Sequence, residues 1–245
     1  MMTELKPMSL KDTPALIEAV FPAQKVSIEA QTERKAVQSQ TLTGLGSYWK
    51  GRKPLILARA IILGSLLPQT DDAEQDLAIF EKLMAFDEEG LARRALIQNA
   101  LKPKDIASLI ELHNPWDYFN PSVRNSRLSE ANLESLSFPV DPDEEGIRIA
   151  WQRGLSDDDK LEVYRKVICA LGTYEERANL CKRPEEVDQS WLFGPVWRHV
   201  NDHYAPFGIK AFSHEELVYQ LGILRYGHRP RAGDTFSGGG SIPYG

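Results

Sequence analysis

The stretch Pro54-Leu-Ile-Leu-Ala-Arg-Ala-Ile-Ile-Leu-Gly-Ser-Leu-Leu67 contains the longest apolar run of the chain and begins with a proline. Proline is favoured in the first turn of a helix because its fixed φ and missing N–H cost nothing there. Apolar residues lie on nearly every side of the resulting helix, so we expect it to be buried in a core. It is shorter than the roughly 20 residues that a membrane span needs, and Arg59 interrupts it. The run therefore predicts a helical fold.

Helical periodicity continues on both sides of this run, and no internal repeat or convincing series of β-strands is present in the sequence. The capping box Ser213-His-Glu-Glu216 opens the last predicted helix and Gly227 closes it. The sequence therefore indicates a mainly α fold. The other predicted helices run from Pro14 to Pro22, from Asp72 to Met84, over Leu91–Leu101 after Gly90, from Pro103 to His113, from Ser156 to Leu171, and over Trp191–Tyr204.

The helical pattern fails between residues 114 and 143, where proline, asparagine and serine are frequent. A connection of this length marks a domain boundary or a functional excursion. We therefore expect a helical region over 1–113, an irregular connection over 114–143, a second helical region over 144–228, and the start of a different domain over 229–245.

Composition limits the possible classes of function. The 245 residues are 42% apolar and 26% charged, which is typical of an ordinary globular protein. The net charge of −6 argues against nucleic-acid binding by the whole surface, so any contact with DNA requires a local basic patch. Cys169 and Cys181 are too few for a disulfide framework or a cysteine zinc site, and we expect buried, reduced thiols. The N-terminus shows no cleavable signal pattern, which favours a cytoplasmic location.

The glycine-rich stretch Arg231-Ala-Gly-Asp-Thr-Phe-Ser-Gly-Gly-Gly-Ser-Ile-Pro-Tyr-Gly245 predicts a cofactor turn. In α/β domains, a strand that ends in an acidic residue and turns through glycines brings backbone close to a bound cofactor. A flexible tail is the alternative interpretation.

The same stretch resembles motif I of S-adenosylmethionine-dependent DNA amino-methyltransferases, which commonly reads Asp-Pro-Phe-x-Gly-x-Gly. Thr235 stands where that pattern usually has proline. The resemblance implies a Rossmann-like α/β domain of which only the truncated start is present. It also implies that S-adenosylmethionine is the cofactor. The residues that this resemblance places at the cofactor are Asp234, Phe236, Gly238, Gly239 and Gly240.

A second segment, Glu33-Arg-Lys35 followed by residues 41–60, resembles DUF1156. This domain of unknown function precedes the catalytic part of large proteins described as adenine-specific DNA methylases, some of them in anti-phage gene clusters. Their typical pattern is His-x-Trp-Trp-Ala-Arg-Arg-Pro-Leu. The corresponding stretch here is Tyr48-Trp-Lys-Gly-Arg-Lys-Pro54, which lacks the histidine and has Lys53 in place of an arginine.

Together the two resemblances imply the N-terminal part of an adenine-specific (N6) DNA methyltransferase of an anti-phage or restriction-modification system. The 245 residues contain no Asn-Pro-Pro-Tyr motif, so we expect the chain to be inactive alone, as a fragment or one half of a split enzyme. The implied partners are DNA and either the remainder of that enzyme or other defence proteins. No membrane or metal is expected. The alternative is a non-enzymatic helical adaptor that binds DNA or protein in a defence system.

An aromatic and basic cluster precedes the apolar run and is the candidate DNA-binding patch. Cations can bind phosphate oxygens while an aromatic ring stacks on a base. The alternative is an amphipathic cap on the buried helix, with the cations in water and the tryptophan packed beneath. The residues of this patch are Trp49, Lys50, Arg52 and Lys53.

Three weaker patterns remain. A second basic run could meet DNA phosphates or carboxylates of a partner, or could be a solvated connector; it consists of Arg225, His228, Arg229 and Arg231. Asn114-Pro-Trp-Asp117 resembles the Asn-Pro-Pro-Tyr motif but lacks its second proline, so we expect a loop. His199 and His203 have a zinc-binding spacing without the glutamate of His-Glu-x-x-His, so we expect surface or helix-packing histidines.

Overall fold

The computed structural model describes residues 5–9, 12–37, 54–123 and 147–231, and this part of the chain is mainly α-helical with one two-stranded sheet. The chain divides into unit 1, which comprises Met1–Gly90 and Arg183–Gly245, and unit 2, which comprises Leu91–Lys182. The elements are α1 (Leu16–Ala19), α2 (Ala23–Val37), α3 (Leu55–Leu66), α4 (Ala73–Leu83), α5 (Glu88–Gln98), α6 (Pro103–Leu109), β1 (Phe119–Val123), β2 (Ile147–Trp151), α7 (Asp157–Ala170), α8 (Tyr174–Asn179), α9 (Gln189–Phe193), α10 (Val196–His203) and α11 (His214–Tyr226).

The core of unit 1 forms around α3, as the apolar run predicts. This helix follows Pro54 and contacts α1, α2 and α11. Its burial is less complete than expected, because Ile61 is 46% exposed. The buried residues of α3 are Ile56, Ala58, Ala60, Leu63, Gly64 and Leu66.

Helix α2 is missing from the sequence prediction, which ends a helix at Pro22 and places none after it. In the structure Pro22 instead lies just before α2, and its carbonyl accepts the N–H of Val26. The buried side of α2 carries Val26, Glu29, Ala30 and Glu33 at helical spacing. Two of these four residues are charged, so a search for apolar periodicity does not find this helix.

Gly90 does not separate two helices, contrary to expectation. It lies in the first turn of α5, and the chain reverses earlier, at Ala85, whose φ is +54°. A Cβ on Gly90 would lie 2.7 Å from Cα of Ala85, so the close approach of this turn requires glycine.

The single helix expected over Trp191–Tyr204 is also wrong. Gly194 and Pro195 divide it into α9 and α10. Proline has no N–H to donate to the preceding turn, so a new helix begins after it.

Unit 2 contains an antiparallel sheet that the sequence does not predict. Phe119 of β1 pairs with Trp151 of β2, and their rings lie 4.9 Å apart. The ring of Tyr164 on α7 lies 6.3 Å from that of Trp151, so the sheet packs on the helix. Strand β1 contains Pro121 and lies in the proline-rich stretch, where the sequence signal for a strand is weak. No parallel sheet is present among the described residues, and the Rossmann-like domain stays a prediction.

Candidate functional site

The residues expected to bind cofactor and DNA lie outside the described residues, so their roles stay predictions. The described residues that flank these segments lie in unit 1: Pro54 follows the predicted DNA patch, and Arg231 precedes the glycine-rich stretch. The candidate site is built from them. The predicted residues concerned are Trp49, Lys50, Arg52, Lys53, Asp234, Phe236, Gly238, Gly239 and Gly240.

The start of α3 is capped by a carboxylate from α2. Glu33 Oε1 accepts the backbone N–H of Leu55 at 2.9 Å, and its Oε2 accepts that of Ile56 at 3.2 Å. The first N–H groups of a helix have no partner within the helix, and the residue before Leu55 is Pro54, whose side chain offers no acceptor. Glu33 is 8% exposed and therefore stabilises the junction of the two helices from inside the fold.

This cap limits how the neighbouring patch can bind DNA. Free N–H groups at a helix start are a common anion site. Here those of Leu55 and Ile56 are already bound by a negative group. These two N–H groups are therefore not free to bind a phosphate. Both interpretations of the patch, DNA contact and helix cap, stay predictions.

Further charges of both signs lie near Glu33. Burial lowers the pKa of Arg59 on α3, while the carboxylates of Glu185 and then Glu33 oppose this shift. The guanidinium of Arg183 lies 2.6 Å from Glu186 and 3.3 Å from Glu185, and the hydrogen bond to Glu186 raises its pKa. The positive charges of the two arginines are compensated by these carboxylates. The cluster therefore links parts of unit 1 and does not form an open anion site.

A part-buried histidine lies close to the same cluster. His214 Nε2 donates to the carbonyl of Leu83 at 2.9 Å. The centroid of its ring lies 4.5 Å from that of Phe193 and 5.2 Å from that of Trp197, and both ring pairs have edge-to-face geometry. Burial lowers the pKa of His214 to about 4; the Leu83 carbonyl opposes this, and the charge of Arg59 adds to it. The imidazole is therefore neutral at pH 7 and serves to join α11 to the end of α4.

Arg225 of the second basic run is an internal anchor and not a surface cation. It is 9% exposed, and burial lowers its pKa. Its guanidinium donates to the carbonyls of Thr13, Pro14, Leu66 and Leu67. The hypothesis that Arg225 meets DNA phosphates is therefore wrong, because its donors are used inside unit 1.

His203 is a helix-packing residue, as expected. Its Nε2 lies 2.7 Å from Oδ1 of Asp76, whose side chain is fully buried. Asp76 also accepts the backbone N–H and the hydroxyl of Thr70, at 2.7 and 2.9 Å. His199 is exposed. Within the described ranges, no three histidine, cysteine, aspartate or glutamate residues are grouped so as to hold a metal ion.

The hydroxyl of Tyr204, next to this pair in the chain, is buried and has no hydrogen-bond partner among the described residues. Burial first, and the charge of Asp76 second, raise its pKa, while Arg225 opposes the shift. Within the described residues, no hydrogen bond therefore offsets the burial of this hydroxyl group.

Two further expectations concern unit 2. Asn114 Nδ2 donates to Asp117 Oδ1 at 2.8 Å around a 3₁₀ turn over Pro115–Asp117, so this segment is a local turn, as predicted. Cys181 is buried and donates to the carbonyls of Leu91 and Arg177. Cys169 is exposed, so the expectation of two buried thiols is wrong for that residue.

Comparison with known proteins supports one part of the sequence interpretation. Residues 20–83 match the model of a family described only as a protein of unknown function, DUF1156. The match includes α2, α3 and α4, and with them Glu33 and Arg59. The resemblance to this family is thereby confirmed over these residues. No curated protein and no solved structure matches the chain. Among the described helices, none has the length and apolar character that crossing a membrane requires.

Proposed function

We propose that this chain contributes the helical module and the cofactor turn of an S-adenosylmethionine-dependent DNA methyltransferase that acts on the N6 amine of adenine. The observation that carries the proposal is the Asp-x-Phe-x-Gly-x-Gly spacing of residues 234–240. This spacing follows a helical segment that matches DUF1156 over residues 20–83. The order of the two segments is that of the adenine-specific enzymes which the sequence resembles.

The residues expected to hold the cofactor are Asp234, Phe236, Gly238, Gly239 and Gly240. Glycines without a Cβ allow the backbone to approach a ligand closely. S-adenosylmethionine, when bound, supplies the methyl group. We assign the contact with DNA to Trp49, Lys50, Arg52 and Lys53.

The buried cap at the start of α3 supports a role for the basic patch in positioning DNA. Pro54 is buried, and Glu33 fixes the backbone of Leu55 directly after it. Lys53 is therefore attached to a fixed point of unit 1. Ordering one end of a binding segment reduces the entropy that is lost on binding.

The proposal is tested first by the nucleotide sequence that follows the codon for Gly245. We expect a frame that continues, directly or after one frameshift, into a helix and then an Asn-Pro-Pro-Tyr motif. The protein from this complete reading frame is then expressed in a host without adenine methylation, and N6-methyladenine is measured by mass spectrometry. We expect methylated adenine with the wild type, none with Asp234→Ala, and wild-type levels with the control Asp202→Ala. Absence of both methylation and cofactor binding in the wild type would refute the proposal.

A non-enzymatic adaptor is the second candidate function, and the mainly helical character of the described residues favours it. An adaptor would bind DNA or protein without the cofactor. Binding to a DNA fragment that is unchanged by S-adenosylmethionine and by Asp234→Ala would support this alternative. Loss of that binding in the double variant Arg52→Ala/Lys53→Ala would place the contact in the basic patch.

A further inference from the structure

The chain after α11 turns back along the helix that it has just left. Gly227, with φ of +73°, ends α11 in the left-handed conformation. The ring of His228 stacks on that of Tyr226, with 6.2 Å between centroids. Arg229 Nη2 lies 3.4 Å from a carboxylate oxygen of Glu215, in the first turn of the helix. We call residues 227–231 the strap.

The strap lies against α11 at one glycine. A Cβ on Gly222 would lie 2.0 Å from Cδ and 2.3 Å from Cγ of Pro230, and 2.8 Å from its backbone nitrogen. Real Cβ contacts are never this short, and a proline ring cannot rotate away as a flexible side chain can. Pro230 therefore occupies the space that any other residue at position 222 would fill. Glycine is unfavourable inside a helix, so its presence here needs a reason such as this contact.

The helix beneath the strap is itself held firmly in unit 1. Arg225 binds carbonyls at the end of α3 and near Thr13. His214 binds the end of α4. Leu217, Leu221 and Leu224 are buried on the inner side of α11. The position of Pro230 is therefore fixed relative to the segment that matches DUF1156.

We propose that Gly222 and Pro230 form a seat that holds the strap on α11 and fixes where the chain enters residues 232–245. Its consequence for function rests on the proposed function: if that is correct, Gly222 and Pro230 are positioning residues for the cofactor turn. Asp234 is the fourth residue after Pro230, and four residues span at most about 14 Å. The seat therefore limits where the turn can lie relative to α11.

Distances between two spin labels test the seat without any reference to catalysis. One label replaces Asp202, which is exposed on α10, and the other replaces Ala232, directly after the strap; Cys169→Ser removes the exposed native thiol. Double electron–electron resonance should give a narrow distance distribution in the otherwise unchanged protein, and a broad one with Gly222→Ala. Gly172→Ala is the control, because a Cβ there meets nothing closer than 3.6 Å, and should leave the distribution narrow.

Pro230→Gly provides a second variant in case Gly222→Ala fails to fold. It removes the ring without adding an atom, so the helices should persist in circular dichroism while the distance distribution broadens. A broad distribution in the unchanged protein, or a narrow one in both seat variants, would overturn the seat.

The positioning role is measured separately as the affinity of the complete enzyme for S-adenosylmethionine. We expect at least a tenfold weaker Kd with Gly222→Ala and Pro230→Gly, and no change with Gly172→Ala. Unchanged affinity together with broadened distances would refute the positioning role. If the wild type binds no S-adenosylmethionine, the proposed function fails, whereas the label distances still decide whether the seat exists.

Discussion

Glu33 accepts the backbone N–H of Leu55 at 2.9 Å, so the first turn of α3 is completed by a side chain 22 residues earlier in the chain. The carboxylate is nearly buried and also accepts the N–H of Ile56. A negative group at this end of a helix interacts favourably with the helix dipole. The junction of α2 and α3 therefore depends on one charged residue.

Replacement of Glu33 should destabilise the protein in proportion to the contacts that are lost. We expect Glu33→Ala to lower the free energy of unfolding by about 2–3 kcal/mol, because one buried and one part-buried donor lose a charged acceptor. Glu33→Gln keeps one acceptor oxygen and should cost about half as much. Urea denaturation measures both. Asp71→Ala, at an exposed position, should have no effect; an equal effect of all three changes would contradict the role of Glu33.

Arg225 should be far more sensitive to replacement than its neighbour Arg229. We expect Arg225→Ala to cost about 3–5 kcal/mol, because two buried and two part-buried carbonyls lose their donor. Arg225→Lys should recover little of this lost stability, since an ammonium group lacks the planar fork of donors of a guanidinium. Arg229→Ala should change stability by less than about 0.5 kcal/mol, because exposed ion pairs contribute little. The three variants are compared by chemical denaturation. Equal effects at positions 225 and 229 would disprove the anchor.

Removal of the Tyr204 hydroxyl should not destabilise the protein. This buried group has no hydrogen-bond partner among the described residues, so Tyr204→Phe should leave stability unchanged or raise it by about 1 kcal/mol. Tyr164→Phe is the comparison, because the Tyr164 hydroxyl lies 3.4 Å from Asn99 Oδ1. Thermal unfolding measures both. A loss above about 1 kcal/mol with Tyr204→Phe would contradict this prediction.

His214 should make unit 1 less stable in acid. Its pKa in the folded state is about 4, below the usual value of about 6.5. Between these values the unfolded chain binds a proton that the folded chain does not. The stability that depends on neutral His214 is therefore fully present above pH 6.5 and is lost as the pH falls to 4. The total loss is about 3 kcal/mol.

Urea denaturation between pH 7 and 4 measures this dependence. His214→Gln keeps a donor for the Leu83 carbonyl and should flatten the profile over this range. His228→Gln, at an exposed position, should leave the profile as it is. A His214→Gln profile as steep as that of the wild type would show that other groups cause the acid sensitivity.

The sequence predicts elements whose signals are local. The start of α3 follows from Pro54, and the start of α4 from Asp72, whose side chain accepts the N–H of Gln75. Helix α2 is missed because Glu29 and Glu33 occupy its buried side. The partner of Glu33 is backbone at the start of α3, and backbone has no residue-specific signature in a sequence.

The candidate site is likewise only partly predictable from the sequence. Resemblance identifies the segment that matches DUF1156 and predicts a cofactor turn in the glycine-rich stretch, because both are short continuous patterns. It gives no indication that Arg225 is buried, since Arg225 lies in a run of basic residues that suggests a surface. The four carbonyls that hold it belong to residues of no distinctive type. The seat at Gly222 is equally hidden, because only the folded chain brings Pro230 to it.

The Arg225 anchor also determines the order in which the protein can be completed during synthesis. Arg225, which donates to the carbonyl of Thr13, follows Thr13 by 212 residues in the chain. At about 5–20 residues per second, a ribosome needs roughly 10–40 s for that distance. Unit 2 is continuous over Leu91–Lys182 and emerges whole within this interval. The carbonyls near Thr13 and Leu66 therefore lack their arginine partner until α11 leaves the ribosome, and the first 90 residues cannot complete their packing before then.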